Sequence, residues 1–304
     1  MSKWHVPLAT CLILMVTSTV TAQQTVVGSP NKGDTSSTGY KLLWSDEFNK
    51  DGQPNPRNWT YELGFVRNNE LQWYQPDNAR CENGLLIIEA RRERKKNPRY
   101  KPDSKSWREN REYAEYTSAS LTTRGLYSWM YGRFEMRGRI DTRPGLWPAF
   151  WTLGVKGRWP NNGEIDIMEY YRGLLLANAA WGTEKRWVPK WDDVKKPITD
   201  FNDPDWSAKF HVWRMDWDED SIKLYVDDEL LNTVDLKETL NPDGKNPFHQ
   251  PHYIIVNLAI GGSAGGDPSN TEFPAKFEID YIRVYKKKIQ KKNTEPNAPA
   301  ATAK

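Results

Sequence analysis

From Tyr131 to Ile140 apolar and charged side chains alternate, Phe134 and Met136 standing against Arg133, Glu135, Arg137 and Arg139. A period of two is the mark of a strand with one face buried and the other in water. The alternation returns from Phe277 to Tyr285, with Phe277, Ile279, Tyr281 and Ile282 apolar. Leu85–Ala90 follows an Asn83-Gly84 turn, and His211–Trp217 and Ser221–Val226 flank Asp218-Glu219-Asp220 as the arms of a hairpin. Tyr253–Ile260 is a continuous apolar run closed by Gly261-Gly262, the pattern of a fully buried strand. No segment sustains an apolar stripe at 3.6-residue spacing. Many short strands punctuated by Gly, Pro, Asn and Asp predict an all-β sandwich or barrel.

One of these apolar runs breaks the rule for buried strands. Gly163-Glu164-Ile165-Asp166-Ile167-Met168-Glu169-Tyr170 places three carboxylates inside it. Glu164 and Asp166 are two apart and share a face, although like charges on one strand face repel and buried carboxylates are costly. Glu169 is five residues from Glu164, so a regular strand would turn it to the opposite face. If the three act together, a β-bulge near Ile167-Met168 must absorb one residue, as bulges beside active sites do. Four regular steps span roughly 13 Å, a gap that two flexible Glu arms on a twisted, concave sheet can narrow. Paired carboxylates, one ionised and one held protonated, are the machinery of glycoside hydrolysis.

Composition narrows the setting. With 304 residues, 38% hydrophobic and 27% charged, the chain can build one sizeable core. A formal charge of +3 excludes any global argument for nucleic acid. The 15 Trp suit both core packing and stacking on sugar rings. Residues 1–22 read as a secretory signal peptide, with a charged start, a short apolar core and small residues before Ala22; the run is too short to span a membrane. Once Cys11 leaves with it, Cys81 is alone, which excludes a disulfide framework. Residues 23–38 are expected to be a flexible leader, 39–286 the folded domain and 287–304 a basic tail. Two stretches read as polar and exposed: the insert Arg94–Arg111, and Thr183–Ser207 despite Trp187, Trp191 and Trp206.

The acidic strand resembles that of glycoside hydrolase family 16 in its bulged, laminarinase-like form, Glu-x-Asp-x-x-Glu. The resemblance extends to Trp44-Ser45-Asp46-Glu47-Phe48-Asn49, Asn68-Asn69-Glu70-Leu71-Gln72, Tyr131-Gly132-Arg133-Phe134-Glu135, Gly145-Leu146-Trp147-Pro148-Ala149-Phe150-Trp151, Asn257–Gly262 and Asp280–Tyr285, all in family order. It implies a β-jelly-roll with an open cleft and a retaining double displacement: Glu164 the nucleophile, Glu169 the general acid/base, Asp166 the assisting acid. No cofactor is required. It also implies that Trp147, Trp151 and Trp159 lie under the sugar at the cleavage point. Asn68, Glu70, Arg137 and Asn257 are candidates for hydrogen-bonding hydroxyls, with an outward ion pair as the alternative for Arg137 and a core amide for Asn257. Relatives often hold a structural Ca²⁺ far from the cleft, partly through backbone oxygens, and Glu47, Gly84 and Asp280 match the segments involved.

One departure stands out. Many relatives carry a His two residues before a Gly on the strand after the acidic one, and Ala180 of Ala179-Ala180-Trp181-Gly182 occupies that place. The stretch from Trp181 to Asp193 then reads as a distinct binding loop, with Trp181 a candidate contact. The expected activity is secreted endo-hydrolysis of β-1,3- or β-1,3/1,4-glucan such as laminarin, by a monomer that spans no membrane and binds no nucleic acid. The alternatives are the same chemistry on agarose, porphyran or carrageenan, which the lysines around Lys185–Lys196 would suit, and a non-catalytic glucan-binding module.

Overall fold

The computed structural model describes residues 39–288. Two antiparallel sheets face each other. The outer sheet has eight strands and runs Glu229–Asp235, Ser221–Val226, His211–Trp217, Gly132–Arg139, Ala275–Lys287, Leu85–Ala90 and Ala79–Glu82, with Tyr40–Asp46 also paired to Ala275–Lys287. The inner sheet has seven and runs Pro189–Pro197, Leu174–Gly182, Glu164–Tyr171, Leu146–Gly154, His252–Ile260, Ser120–Thr122 and Thr60–Tyr61. Neighbours in space are often distant in sequence: Leu146–Gly154 lies between Glu164–Tyr171 and His252–Ile260. This is the jelly-roll expected, and its crossing connections place side chains from far apart on one sheet.

The core lies between the sheets. Phe134, Met136, Phe277, Ile279 and Met215 come from the outer sheet, Phe150, Ile165, Ile167, Val256 and Leu258 from the inner one, all in one buried cluster. Alternation explains the outer sheet: Gly132–Arg139 buries every second residue and turns Arg133, Glu135, Arg137 and Arg139 outward. Truncating a central ring, as in Phe150→Ala, costs about 3–5 kcal/mol through lost burial and the cavity left behind. His252–Ile260 is buried at every position, as its unbroken apolar run predicts.

One boundary moves and two stretches prove ordered. Strand pairing continues to Lys287, opposite Tyr40, so the domain runs one residue past 286. The signal peptide, the leader and the tail beyond residue 288 lie outside the described residues. Thr183–Ser207 is not a loop throughout: Pro189–Pro197 pairs with Leu174–Gly182 as the edge strand of the inner sheet, and Trp206 is buried, stacked 3.9 Å from His211. The Arg94–Arg111 insert is ordered by a short ladder between Lys95–Lys96 and Tyr113–Ala114.

Candidate active site

The acidic strand bulges at the place its spacing requires. Asp166 pairs with Asn178 and Glu169 with Leu176, so three steps on one strand meet two on the other. Across the other neighbour, Trp151 pairs with Asp166 and Phe150 with Met168. Ile167 and Met168 both turn into the core, and Glu169 returns to the face that carries Glu164 and Asp166. All three carboxyls line one groove of about 650 Å³ on the inner sheet. Indoles hold the outer two: Trp159 Nε1 donates to Glu164 Oε2 at 2.7 Å, and Trp147 Nε1 donates to Glu169 Oε1 at 2.6 Å.

Electrostatics separate the three. Burial pushes Glu164 and Glu169 up to about 7. Glu164 is relieved by the Trp159 donor, the Arg67 charge and a hydrogen bond from Asp166. Glu169 has the Trp147 donor but is pressed upward by Glu164 and Glu70, with Lys195 a weaker counterweight. Asp166, 4% exposed, is held well above the usual carboxylate range by burial first and then by the charges on both sides. The arrangement favours a proton on Asp166, while Glu164 and Glu169, raised alike, differ in the donors and charges around them.

Most residues expected from the sequence meet here. Trp147, Trp151, Trp159, Asn68, Glu70 and Asn257 line the groove with the acids. Trp151 Nε1 donates to Asn257 Oδ1 at 2.8 Å, and Asn257 Nδ2 donates to Tyr74 Oη at 3.1 Å, so Asn257 also fixes an indole. Glu70 is buried and accepts from Gln72 Nε2 at 2.7 Å. Arg67, whose guanidinium lies 4.9 Å over the Trp151 ring, Tyr171 and Asn178 line the groove without having been foreseen, and the expected binding stretch contributes the edge-strand row Trp191, Asp193 and Lys195. That row is in register with the acids through Ala180, Asn178 and Leu176. Its signal was available, since the three side chains recur at every second position of Pro189–Pro197.

The family model for glycosyl hydrolases family 16 matches residues 72–283. The chain belongs to glycosyl hydrolase family 16. It is 36% identical over 274 residues to a β-glucanase of Rhodothermus marinus, covering 81% of this chain and 85% of that one. It is 37% identical over 269 residues to a glucan endo-1,3-β-glucosidase of Cryptopygus antarcticus, covering 81% and 92%. Among solved structures, the laminarinase catalytic domain of Thermotoga petrophila RKU-1 superposes with TM-score 0.69 at 33% identity, covering 82% and 98%. A structure from work on endo-acting O-glycanases that human gut bacteria express to initiate mucin breakdown superposes with TM-score 0.75 at 36% identity, covering 83% and 92%. This family 16 member is a glycoside hydrolase.

Two expected contacts of this family 16 chain lie elsewhere. Arg137 is on the outer sheet, 2.7 Å from Asp280 and over the Phe210 ring, because alternation in Gly132–Arg139 turns it away from the core. Trp181 is 4% exposed and packs with Ala177 and Ala179 in the core, since odd positions of Leu174–Gly182 point inward and even ones toward the groove. The carboxylates of the candidate calcium residues are engaged in ion pairs. Glu47 is taken by Arg283 at 2.7 Å and Asp280 by Arg137, while Gly84 sits in a turn at φ +76°. Calcium also takes backbone carbonyl and water oxygens, so these ion pairs bear only on the carboxylate part of such a site. Among the described residues no group of three or more His, Cys, Asp or Glu is placed to hold a metal.

Proposed function

We propose that this hydrolase cuts β-1,3-glucan internally by double displacement with retention. The observation that carries the chemistry is the bulge, which brings Glu164 and Glu169 to one face with Asp166 between them. Glu164, with the Trp159 donor and the Arg67 charge beside it, attacks the anomeric carbon. Glu169 gives its proton to the leaving oxygen, and the glycosidic C–O bond breaks as the Glu164–carbon ester forms. Water then attacks that carbon, Glu169 takes its proton, and Glu164 leaves as carboxylate. Asp166 keeps its proton and donates it to Glu164 in hydrogen bonding, which steadies the charge as it reforms.

The groove supports a polysaccharide. Trp147, Trp151 and Trp159 offer apolar faces for pyranose rings, and Asn68, Glu70 and Asn257 offer polar atoms for hydroxyls. The similarity to glucan-cleaving relatives supports glucose as the unit. A second reading, a β-galactoside chain, is favoured by the similarity, at 26% identity over 261 residues, to a keratan-sulfate endo-1,4-β-galactosidase of Sphingobacterium multivorum and by the cleft-facing Lys195. The N-terminal signal pattern supports export, and we read the active species as a monomer. Among the described residues no helix is long and apolar enough to cross a membrane.

A panel of laminarin, mixed-linkage glucan, agarose, carrageenan and mucin glycans, with products sized over time, tests this reading. Laminarin is expected to yield a falling ladder of oligosaccharides whose new reducing ends start in the β configuration by proton NMR. Release from galactans alone would replace the glucan assignment, and an initial α product would remove the retaining mechanism.

A further inference from the structure

Residues 66–70 carry Arg67, Asn68 and Glu70 into the groove on a backbone that is uphill by itself. Asn68 and Asn69 are both left-handed, at φ +54° and +52°. Consecutive left-handed non-glycine residues persist only where their surroundings over-determine them. The carbonyls reveal what does so, because each must find a donor. Arg67 O accepts from Glu70 N within the loop at 3.1 Å, and Asn68 O accepts from Ser263 N at 2.8 Å. That second contact needs Gly262, where an added Cβ would stand 2.7 Å from Asn68 O.

The remaining three carbonyls are held by the 94–111 insert. Arg108 Nε donates to Val66 O at 3.0 Å. Arg111 forks across two carbonyls, Nη1 to Glu70 O at 2.7 Å and Nη2 to Asn69 O at 3.0 Å. The two guanidinium groups are themselves fixed. Arg108 lies 4.6 Å over the Trp107 ring and Arg111 5.0 Å over the Phe65 ring. Asn97, 1% exposed, ties the insert together: its Nδ2 donates to Arg108 O and Arg111 O, both at 2.9 Å, and its Oδ1 accepts from Arg99 N at 3.0 Å. A planar fork that satisfies two carbonyls at once is something a lysine cannot reproduce.

We infer that Asn97, Arg108 and Arg111 are positioning residues, which set the backbone of residues 66–70 and so aim Asn68 and Glu70 at the sugar chain. The inference rests on reading the groove as the polysaccharide site. It makes the insert, otherwise a polar surface excursion, a determinant of substrate binding and not of bond cleavage, since none of the three residues lines the groove with the acids.

Three measurements test it on the full chain. Arg111→Ala is expected to raise KM for the polysaccharide that the native enzyme cleaves by about tenfold, the scale of one lost charge-assisted hydrogen bond. Its kcat should stay within about twofold, the signature of lost binding and not of lost chemistry. Arg111→Lys keeps the charge and reaches one carbonyl, so it should still fold and raise KM by about threefold. KM unchanged in both variants, or a kcat loss equal to the change in kcat/KM, overturns the inference. In a double-variant cycle, Glu70→Ala with Arg111→Ala should be no worse than the poorer single variant, because Arg111 acts through Glu70 and its neighbours; additive losses overturn it. Finally, amide exchange across residues 66–71, measured without sugar, should quicken in Arg111→Ala while the 164–171 strand is unaffected; unchanged exchange overturns it. That readout needs no substrate, so failure of the glucan assignment leaves this test standing.

Discussion

On the outer sheet, Asp216 faces Arg133 at 2.6 Å, Asp280 faces Arg137 at 2.7 Å, Glu278 faces Arg139 at 2.5 Å and Glu47 faces Arg283 at 2.7 Å. On the inner sheet, Glu164 and Glu169 face indole N–H groups, and among the described residues none of Glu164, Asp166 and Glu169 belongs to an ion pair. Both sheets thus gather acids on one face, yet the outer one pairs each of these with an arginine and the inner one leaves its three without an ion pair. Paired and half-exposed, the outer acids gain about 0–1 kcal/mol per pair. Buried and unpaired, the inner acids are pushed toward neutrality, where one proton can be lost and another kept. The chemistry lies where charge was left uncompensated.

Predictions that break or sharpen this contrast begin with the inner acids. Glu164→Ala should lower kcat by roughly 10⁴-fold or more, the scale of removing a nucleophile, with an unchanged circular dichroism spectrum. Undiminished turnover would place the reaction elsewhere. Next come the indole donors, each of which favours a charged carboxylate. Trp159→Phe should move the acid limb of the kcat/KM profile upward by about one pH unit, and Trp147→Phe the alkaline limb by a similar amount, because each loses one hydrogen bond to a carboxylate. A shift of both limbs by either variant would mean that the two indoles do not act separately.

A smaller effect concerns stability. The three inner acids have folded pKa values above their unfolded ones, so between about pH 4 and 7 the folded state holds more protons than the unfolded chain. Stability should therefore fall as pH rises through that window, and Asp166→Asn should flatten the fall in melting temperature. A melting temperature that climbed steadily over the same range would contradict the electrostatic account. The smallest change is expected on the other sheet. Arg137→Ala breaks an exposed pair and should cost under about 1 kcal/mol in urea unfolding, with kcat/KM unaltered. A large activity loss would return Arg137 to the substrate.

The two sheets also explain what could be read from the chain. Alternation placed the outer strands, and the five-residue spacing of Glu164 and Glu169 demanded a bulge that the register bears out. The sequence leaves Arg137 between a hydroxyl contact and the outward ion pair it makes with Asp280, because an alternating strand reveals that one face is wet, but not whether that face is the convex back or the groove. Trp181 was misplaced because aromatic residues on an inner strand serve core and groove equally, and parity relative to Asn178 decides between them. The edge strand was read as a loop because charged and Pro residues fill it. Those are the residues that protect an exposed sheet edge.

Local order and the need for three acids on one face are properties of the chain itself, because strand period and the cost of crowded charge depend on neighbours a few residues away. Which arginine meets which acid, and which loop an insert steadies, arises when strands distant in sequence become adjacent in a sheet. Glu169 reached the groove by a shift of one residue and Trp159 meets Glu164 from the turn just before its strand; Trp147 and Arg111 reached partners more than twenty residues away only by folding, since no local spacing sets such a contact.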